Sequence, residues 1–280
     1  MKPVICIIGA KGHMGSAFTK LFRKHAMEVF EIDIDSELRA EDALPKANIV
    51  IFSVPIHSTV ELIKTLAPLA KPGALVTDLT SIKMPAMMAI MNHAPSNCEI
   101  LGLHPMFGPN GVDDLSRQVI ALCPGRSGPW SKFLLNFFRE QGAILKETTP
   151  EEHDRMMSII QGITHLSSIA TGMALKSLGC DVQRSLEFAS PIYRLRLEMA
   201  GRILSQDAGL YADIAIANPQ TEGAFRAYQN AINLLSTHIH NHDVPGFIHE
   251  FSEAADYLGG FKDEAYDRTN ELIKRCKDIL

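Results

Sequence analysis

The stretch Val4-Ile5-Cys6-Ile7-Ile8-Gly9-Ala10-Lys11-Gly12-His13-Met14-Gly15 decides the fold, because an apolar run of strand length passes at once into closely spaced glycines. Ser16 to Lys24, which follow, have the texture of a helix. Glycine lets such a turn be tight, lets backbone approach a pyrophosphate and lets the helix pack close to the strand, while the helix N-terminus presents N–H groups to an anion. In the usual G-x-G-x-x-G spacing Gly12 and Gly15 take the second and third places, and Ala10 stands in the first with Gly9 just before it. A broken fingerprint of this kind is weak by itself, since a plain strand-turn-helix looks the same.

Outward from that turn, short β-branched runs alternate with helical stretches as far as about residue 147: Val29–Ile34, Ile49–Val54, Ala74–Asp78, Ile100–Leu103, Val119–Cys123 and Ala143–Lys146. The alternation predicts an α/β domain of the Rossmann type, a doubly wound and mainly parallel sheet with helices on both faces. At Thr149-Pro150-Glu151-Glu152 a capping residue, a proline at the first helical position and a glutamate at the third start a helix. From there the pattern is helical, with turns expected near Gly179, Gly209, Asn218-Pro219, Asp243 to Gly246 and Gly259-Gly260. The expected division is a nucleotide-binding domain over residues 1–148 and an all-α domain over residues 149–280.

The second strand sharpens the cofactor reading. Asp33 ends it 18 residues after Gly15, close to the ~20 at which an acidic residue bonds the ribose 2′-hydroxyl. A carboxylate there repels a 2′-phosphate, and Ile34 and Asp35 bring no cation, so NAD is expected rather than NADP. The alternative is that Asp33 and Asp35 are plain loop carboxylates. Candidate cofactor contacts are Gly9, Gly12, His13, Met14, Gly15 and Asp33, joined by Ser53, Val54 and Pro55 after the third strand.

Ligands of doubly wound sheets bind beyond the carboxyl ends of the strands, so polar residues there are the catalytic candidates. His104 leads, because it tops the fifth strand beside the proline-stiffened loop His104-Pro105-Met106-Phe107-Gly108-Pro109, and an imidazole can act as base near neutral pH. Ser81 can orient that imidazole or a substrate hydroxyl, Lys83 can face an anion, and His57 can shape the cofactor wall. Downstream, Arg194, Glu198 and Arg202 share one helix face. They form either a surface ion-pair ladder or, on so apolar a helix, a place for an anionic substrate group. His153 and His165 are open to packing or function alike. His238-Ile239-His240-Asn241-His242 resembles a metal tract, but the alternate spacing scatters its rings, and no metal is expected.

Composition excludes other classes. A net charge of -5 with no Lys/Arg run leaves no field for a nucleic-acid backbone, so small-molecule substrates are expected. The longest apolar runs have strand length, so neither a membrane span nor a signal peptide is expected. Cys6, Cys98, Cys123, Cys180 and Cys276 are far apart and odd in number, which fits a reducing cytoplasm.

The segments Ser53-Val54-Pro55-Ile56-His57, Leu101 to Pro109, Glu152-His153-Asp154 and Ser190-Pro191-Ile192-Tyr193-Arg194-Leu195 resemble motifs of the prephenate dehydrogenases, most closely the dehydrogenase part of bacterial chorismate mutase-prephenate dehydrogenases. The resemblance runs over nearly the whole chain. It implies a Rossmann domain, a helical dimerisation domain, a homodimer, NAD as oxidant, and oxidative decarboxylation of prephenate to 4-hydroxyphenylpyruvate on the route to tyrosine. Carried over, His104 accepts the hydrogen bond of the ring hydroxyl, Ser81 helps position it, and Arg202 binds the ring carboxylate. Lys83, His165 and Arg194 line the same cleft. Because the chain opens directly on the first strand, no mutase module is expected, nor a separate regulatory domain. Rivals are arogenate or a 4-amino analogue as substrate, a β-hydroxyacid or imine reductase, and an NAD-sensing regulator that would need no His104, Ser81 or Arg202.

Overall fold

The computed structural model describes residues 2–275, so that Cys276 lies outside the described residues. Two compact units are present: residues through Ser158 with Gly209–Gln220 form one, and Ile159–Ala208 with the residues from Thr221 onward form the other. In the first, strands β1 (Val4–Ile8), β2 (Glu28–Ile32), β3 (Ile49–Phe52), β4 (Leu75–Asp78), β5 (Glu99–Pro105), β6 (Val119–Pro124) and β7 (Ile144–Glu147) make one sheet in the order β2-β1-β3-β4-β5-β6-β7. All neighbours are parallel except β5 and β6. Helices α1 (His13–Lys24), α2 (Ala40–Ala43), α3 (Ile56–Leu66), α4 (Met84–His93) and α5 (Pro129–Glu140) connect the strands, and α6 (Pro150–Met157) follows β7.

The period of two along β1 builds a core on each face of the sheet. Ile5 and Ile7 pack with Phe18, Phe22, Phe137 and Phe138 of α1 and α5, whereas Cys6 and Ile8 belong to the layer of Ile63, Met87 and Ile90 from α3 and α4. The chain winds outward from β1 to β2, then returns past β1 to β3. That reversal opens a crevice at the carboxyl ends of β1 and β3, where such sheets bind ligands.

The expected strands all form, with shifted ends. β2 stops at Ile32 instead of Ile34, because Asp33 enters a turn in which its N–H donates to Ser36 Oγ at 3.1 Å. β3 stops at Phe52, leaving Ser53 and Val54 as loop. Thr149 caps α6, its Oγ1 accepting from Glu152 N–H at 3.2 Å.

A π-helical segment, Ser158–Ile163, then leads to α7 (Thr164–Ser177), α8 (Val182–Glu187) and α9 (Pro191–Leu204). The turn expected near Gly209 falls at Ser205 to Asp207, and Gly209 is the second residue of α10 (Ala208–Ala217). The last helices are α11 (Thr221–His240), α12 (Val244–Leu258) and α13 (Phe261–Arg275). Asp181, Ser190 and Asp243 cap α8, α9 and α12 with side-chain acceptors. Among the described residues α7, α8, α12 and α13 bury no side chain fully, while Phe188, Ile192, Ile248, Phe251 and Phe261 stand exposed. No described helix is long and apolar enough to cross a membrane.

Candidate active site

The crevice begins at three glycines, two of which the close packing requires. Gly9 has φ +84°, and a Cβ there would lie 2.3 Å from Ser53 O and 2.9 Å from Val54 Cγ1. The loops after β1 and β3 therefore touch, and Ser53 and Val54 border the glycine turn. A Cβ on Gly15 would lie 2.1 Å from Gly9 O, so only glycine lets α1 approach its own strand. Gly12 is the exposed N-cap of α1, and no side chain caps that helix. The first-turn N–H groups of His13, Met14 and Gly15 are left for an anion, as a dinucleotide pyrophosphate requires.

Asp33 stands beside this loop. Its Oδ2 accepts from Lys11 N–H at 2.8 Å and its Oδ1 from Ile34 N–H at 2.9 Å. Ile34 and Asp35 bring no cation in sequence, but the fold supplies one beside them: Lys11 Nζ lies 2.6 Å from Asp35 Oδ1, with both side chains exposed. That contact draws the pKa of Lys11 upward and that of Asp35 downward. Ile34, next to Asp33, is fully exposed and offers an apolar surface to a base. Pro55 is the N-cap of α3. His57, in the first turn of α3, is bound through Nδ1 to Asp213 Oδ2 of α10 at 2.7 Å.

The second cluster lies at the ends of β4 and β5. Asp78 closes β4, fully buried, and pairs with the equally buried ammonium of Lys83. The same Asp78 Oδ2 accepts from Thr80 N–H at 3.1 Å, and Lys83 Nζ donates to Leu103 O at 2.7 Å. Half-buried Ser81 sits on the short loop that these bonds hold. Lys83 was expected to line a cleft; with no exposed surface, the anion it meets is Asp78 of the protein itself.

His104 follows Leu103 on β5 and is 3% exposed. Burial holds its pKa well below the ordinary histidine value, and the neighbouring His153 and Lys83 push the same way. Its Nδ1 lies 2.9 Å from His153 Nε2, and His153 Nδ1 lies 2.7 Å from Asp154 Oδ1. Asp154 in turn accepts from Lys83 N–H at 2.7 Å and Met84 N–H at 2.9 Å, at the N-terminus of α4. A neutral imidazole held this way keeps a lone pair for a substrate proton.

His165, Arg194 and Arg202 lie in the second unit, on α7 and α9, which pack together so closely that a Cβ on Gly172 would meet Leu204 Cδ1 at 2.8 Å. His165 is half-buried, and burial lowers its pKa. Arg194 is half-buried and Arg202 exposed. Among the described residues neither forms an ion pair with Glu198, so the surface ladder does not assemble. His238 Nδ1 instead meets Asp243 Oδ2 at 2.8 Å, and no group of metal-holding side chains occurs among the described residues. Sequence reasoning left Lys11 unassigned and His153 open; the advance signals for His153 were its place next to Asp154 and the Glu152-His153-Asp154 segment of the family resemblance.

Comparison with known proteins gives a consistent family. The model of the prephenate dehydrogenase nucleotide-binding domain matches residues 22–147, and that of the prephenate dehydrogenase dimerization domain matches residues 149–253. The first match begins after the glycine loop, whose role rests on its own geometry. The chain is 35% identical to a probable arogenate/prephenate dehydrogenase of Methanocaldococcus jannaschii, over 98% of this chain and 67% of that protein. It is 32% identical to the T-protein of Haemophilus influenzae, over 98% of this chain and 72% of that protein. The fold is shared with a crystal structure of prephenate dehydrogenase from A. aeolicus in complex with hydroxyphenyl propionate and NAD+. The TM-score there is 0.70 at 19% identity, covering 92% of this chain and 97% of that one.

Breaking the buried pair tests its structural weight. Lys83→Met leaves Asp78 as an uncompensated buried charge and should cost ~3–5 kcal/mol, read as a lowered urea midpoint at unchanged slope. Adding Asp78→Leu should restore most of that loss. A single variant as stable as the parent would show that the pair holds nothing.

Proposed function

The chain belongs to the prephenate dehydrogenase family, and from that premise we propose that it oxidises prephenate with NAD, releasing CO2 and forming 4-hydroxyphenylpyruvate for tyrosine synthesis. One observation carries the reading: a buried, neutral His104 at the carboxyl end of β5, held by Asp154 through His153, in the same unit as the glycine crevice. A bound nicotinamide supplies the hydride acceptor. His104 accepts the hydrogen bond of the ring hydroxyl and takes its proton as the carbon is oxidised, and Ser81 orients that hydroxyl. Arg202 binds the ring carboxylate, with Arg194 and His165 assigned to the remaining polar groups. Lys83 serves by holding Asp78 and Leu103 O.

Gly9, Gly12, His13, Met14 and Gly15 hold the pyrophosphate, and Ser53, Val54 and Pro55 border the nicotinamide half. Asp33 favours a ribose hydroxyl over a phosphate, and Lys11 is engaged by Asp35 instead of being free for one. A prephenate dehydrogenase needs no membrane or nucleic acid, and we place this one in the cytoplasm, where the free Cys6, Cys98 and Cys123 stay thiols. An NAD-sensing regulator has no support among the relatives, which are named as dehydrogenases or as T-protein. We also assign a homodimer built through the second unit, because its helices leave large side chains such as Phe188, Ile192 and Phe251 uncovered.

Following reduced-cofactor absorbance with prephenate or arogenate, and with NAD or NADP, tests substrate and oxidant together. Prephenate with NAD should give the highest kcat/KM; a higher value with arogenate overturns the substrate, and equal values for the two cofactors overturn the role of Asp33. His104→Asn should lower kcat by roughly 10²-fold or more with little change in KM. Because the neutral ring is the active form and its pKa is depressed, the wild-type rate should hold as pH falls through about 6.5 and decline only below that. Light scattering at micromolar concentration should give the mass of two chains; a stable monomer would contradict the interface.

A further inference from the structure

His104 ends a chain of bonds that fixes the position of every hydrogen along it. The chain starts at Asp154, whose Oδ1 and Oδ2 accept from Lys83 N–H and Met84 N–H. A carboxyl surrounded by donors is held as the acceptor-only carboxylate. His153 Nδ1, 2.7 Å from Oδ1, must therefore carry hydrogen. In the neutral ring His153 Nε2 is then a bare lone pair, so His104 Nδ1, 2.9 Å away, must be the donor. The remaining nitrogen of His104, Nε2, is left as the acceptor. The two ring centroids lie 5.1 Å apart with their planes at 67°, and the contact between them is the Nδ1···Nε2 approach of 2.9 Å.

We infer that His153 and Asp154 form a positioning pair and proton relay for His104, holding it as the Nδ1–H tautomer and receiving that Nδ1 proton when Nε2 takes the substrate's. This deepens the reading of the preceding section and rests on it for the substrate. The hydroxyl O–H bond breaks and an N–H bond forms at His104 Nε2; the His104 Nδ1–H bond breaks and an N–H bond forms at His153 Nε2. The C–H electron pair leaves to the nicotinamide dinucleotide, the oxidant named above. The electron pair of the breaking carboxylate bond then runs through the ring to the oxygen, which takes a proton back from His104 Nε2 as CO2 departs. His153 returns its proton to Nδ1, so the relay resets with no net proton consumed.

The charge distribution favours this transfer over leaving the charge on His104. The charged groups of the cluster are Asp78 at the end of β4, Lys83 from the β4–α4 loop and Asp154 from α6. Lys83 and the other ring both oppose a cation at His104, which is also penalised by burial. One ring further on, the same charge sits against the Asp154 carboxylate. A satisfied core histidine would need Asp154 but no defined tautomer in its neighbour.

The tautomer is readable without substrate or cofactor. In 15N-histidine protein near pH 7.5, two-bond proton-nitrogen spectra should show His104 with a protonated Nδ1 and a bare Nε2; the opposite tautomer overturns the proposal whether or not prephenate is the substrate. His153→Gln puts an amide oxygen where Nε2 stood, so it accepts from His104 but takes no proton, whereas His153→Leu does neither. The Gln variant should keep the tautomer and lose roughly 10-fold or more in kcat at nearly unchanged KM. In mixtures of light and heavy water the dependence of the wild-type rate on deuterium content should be bowed, as for two protons in motion, and that of the Gln variant linear. The Leu variant should also lose the tautomer in the spectrum. A Gln variant with wild-type kcat and a bowed dependence overturns the relay.

Discussion

A lysine ammonium and an aspartate carboxylate, both without exposed surface, close the end of β4, and the rest of the site is hung on them. Removing two charges from water costs several kcal/mol per ion, a cost met only when geometry is good and the remaining hydrogen-bonding capacity is used. Here Thr80 adds donors to Asp78 Oδ2, and Lys83 reaches across to Leu103 O, tying β4 to the residue before His104, while the buried Asp78 Oδ1 has no hydrogen-bond partner, so the cost is only partly offset. The same lysine's backbone N–H begins the cradle for Asp154, from which His153 and then His104 are set. One residue thus fixes the His104 imidazole from two directions, through its side chain on β5 and its main chain on α6.

The sheet provides the other half of the arrangement. The turn back from β2 past β1 to β3 puts the glycine loop and the Ser53-Val54 loop against each other, with less than a carbon's width to spare at Gly9. Two strands further along the same edge, β5 delivers His104. Pyrophosphate cradle and imidazole therefore stand at the same end of parallel strands, and a rigid sheet sets their spacing. The antiparallel pairing of β6 with β5 is the one departure, and its register places Ala121 opposite His104, a small residue beside the ring.

Elements and the cofactor crevice were legible in the sequence because their signals are local. A period of two gives the strands, glycine and proline punctuate them, and the spacing of Asp33 from Gly15 follows from one βαβ unit. What was not legible joins residues far apart in the chain: Lys11 to Asp35, His104 to His153, Lys83 N–H to Asp154, and His57 to Asp213. The expectation for Lys83 failed on burial, since a lysine in a polar-looking loop gives no sign that its head group will be covered. The turn expected near Gly209 forms just before it, at Ser205 to Asp207, and Gly209 enters the first turn of α10.

The segment that contains Gly209 adds two further ties to the cluster. The segment Gly209–Gln220 packs with the dinucleotide-binding unit, although the chain on either side belongs to the other unit. Asp213 of α10 grips His57 at the start of α3, beside the crevice, and Asn218, just past its end, donates through Nδ2 to Asp154 O at 2.8 Å. One short segment therefore fastens both the wall of the cofactor crevice and the backbone of the residue that anchors the His153–His104 chain. Both ties are polar, one exposed and one buried. The buried amide cannot exchange its partner for water without cost, so position 218 is held more firmly than position 213. Asp154 is thus fixed on three sides, by α4 through its two oxygens, by His153, and by Asn218 through its own carbonyl. A carboxylate held so tightly has no freedom to rotate toward another donor, and its Oδ1 stays on His153 Nδ1.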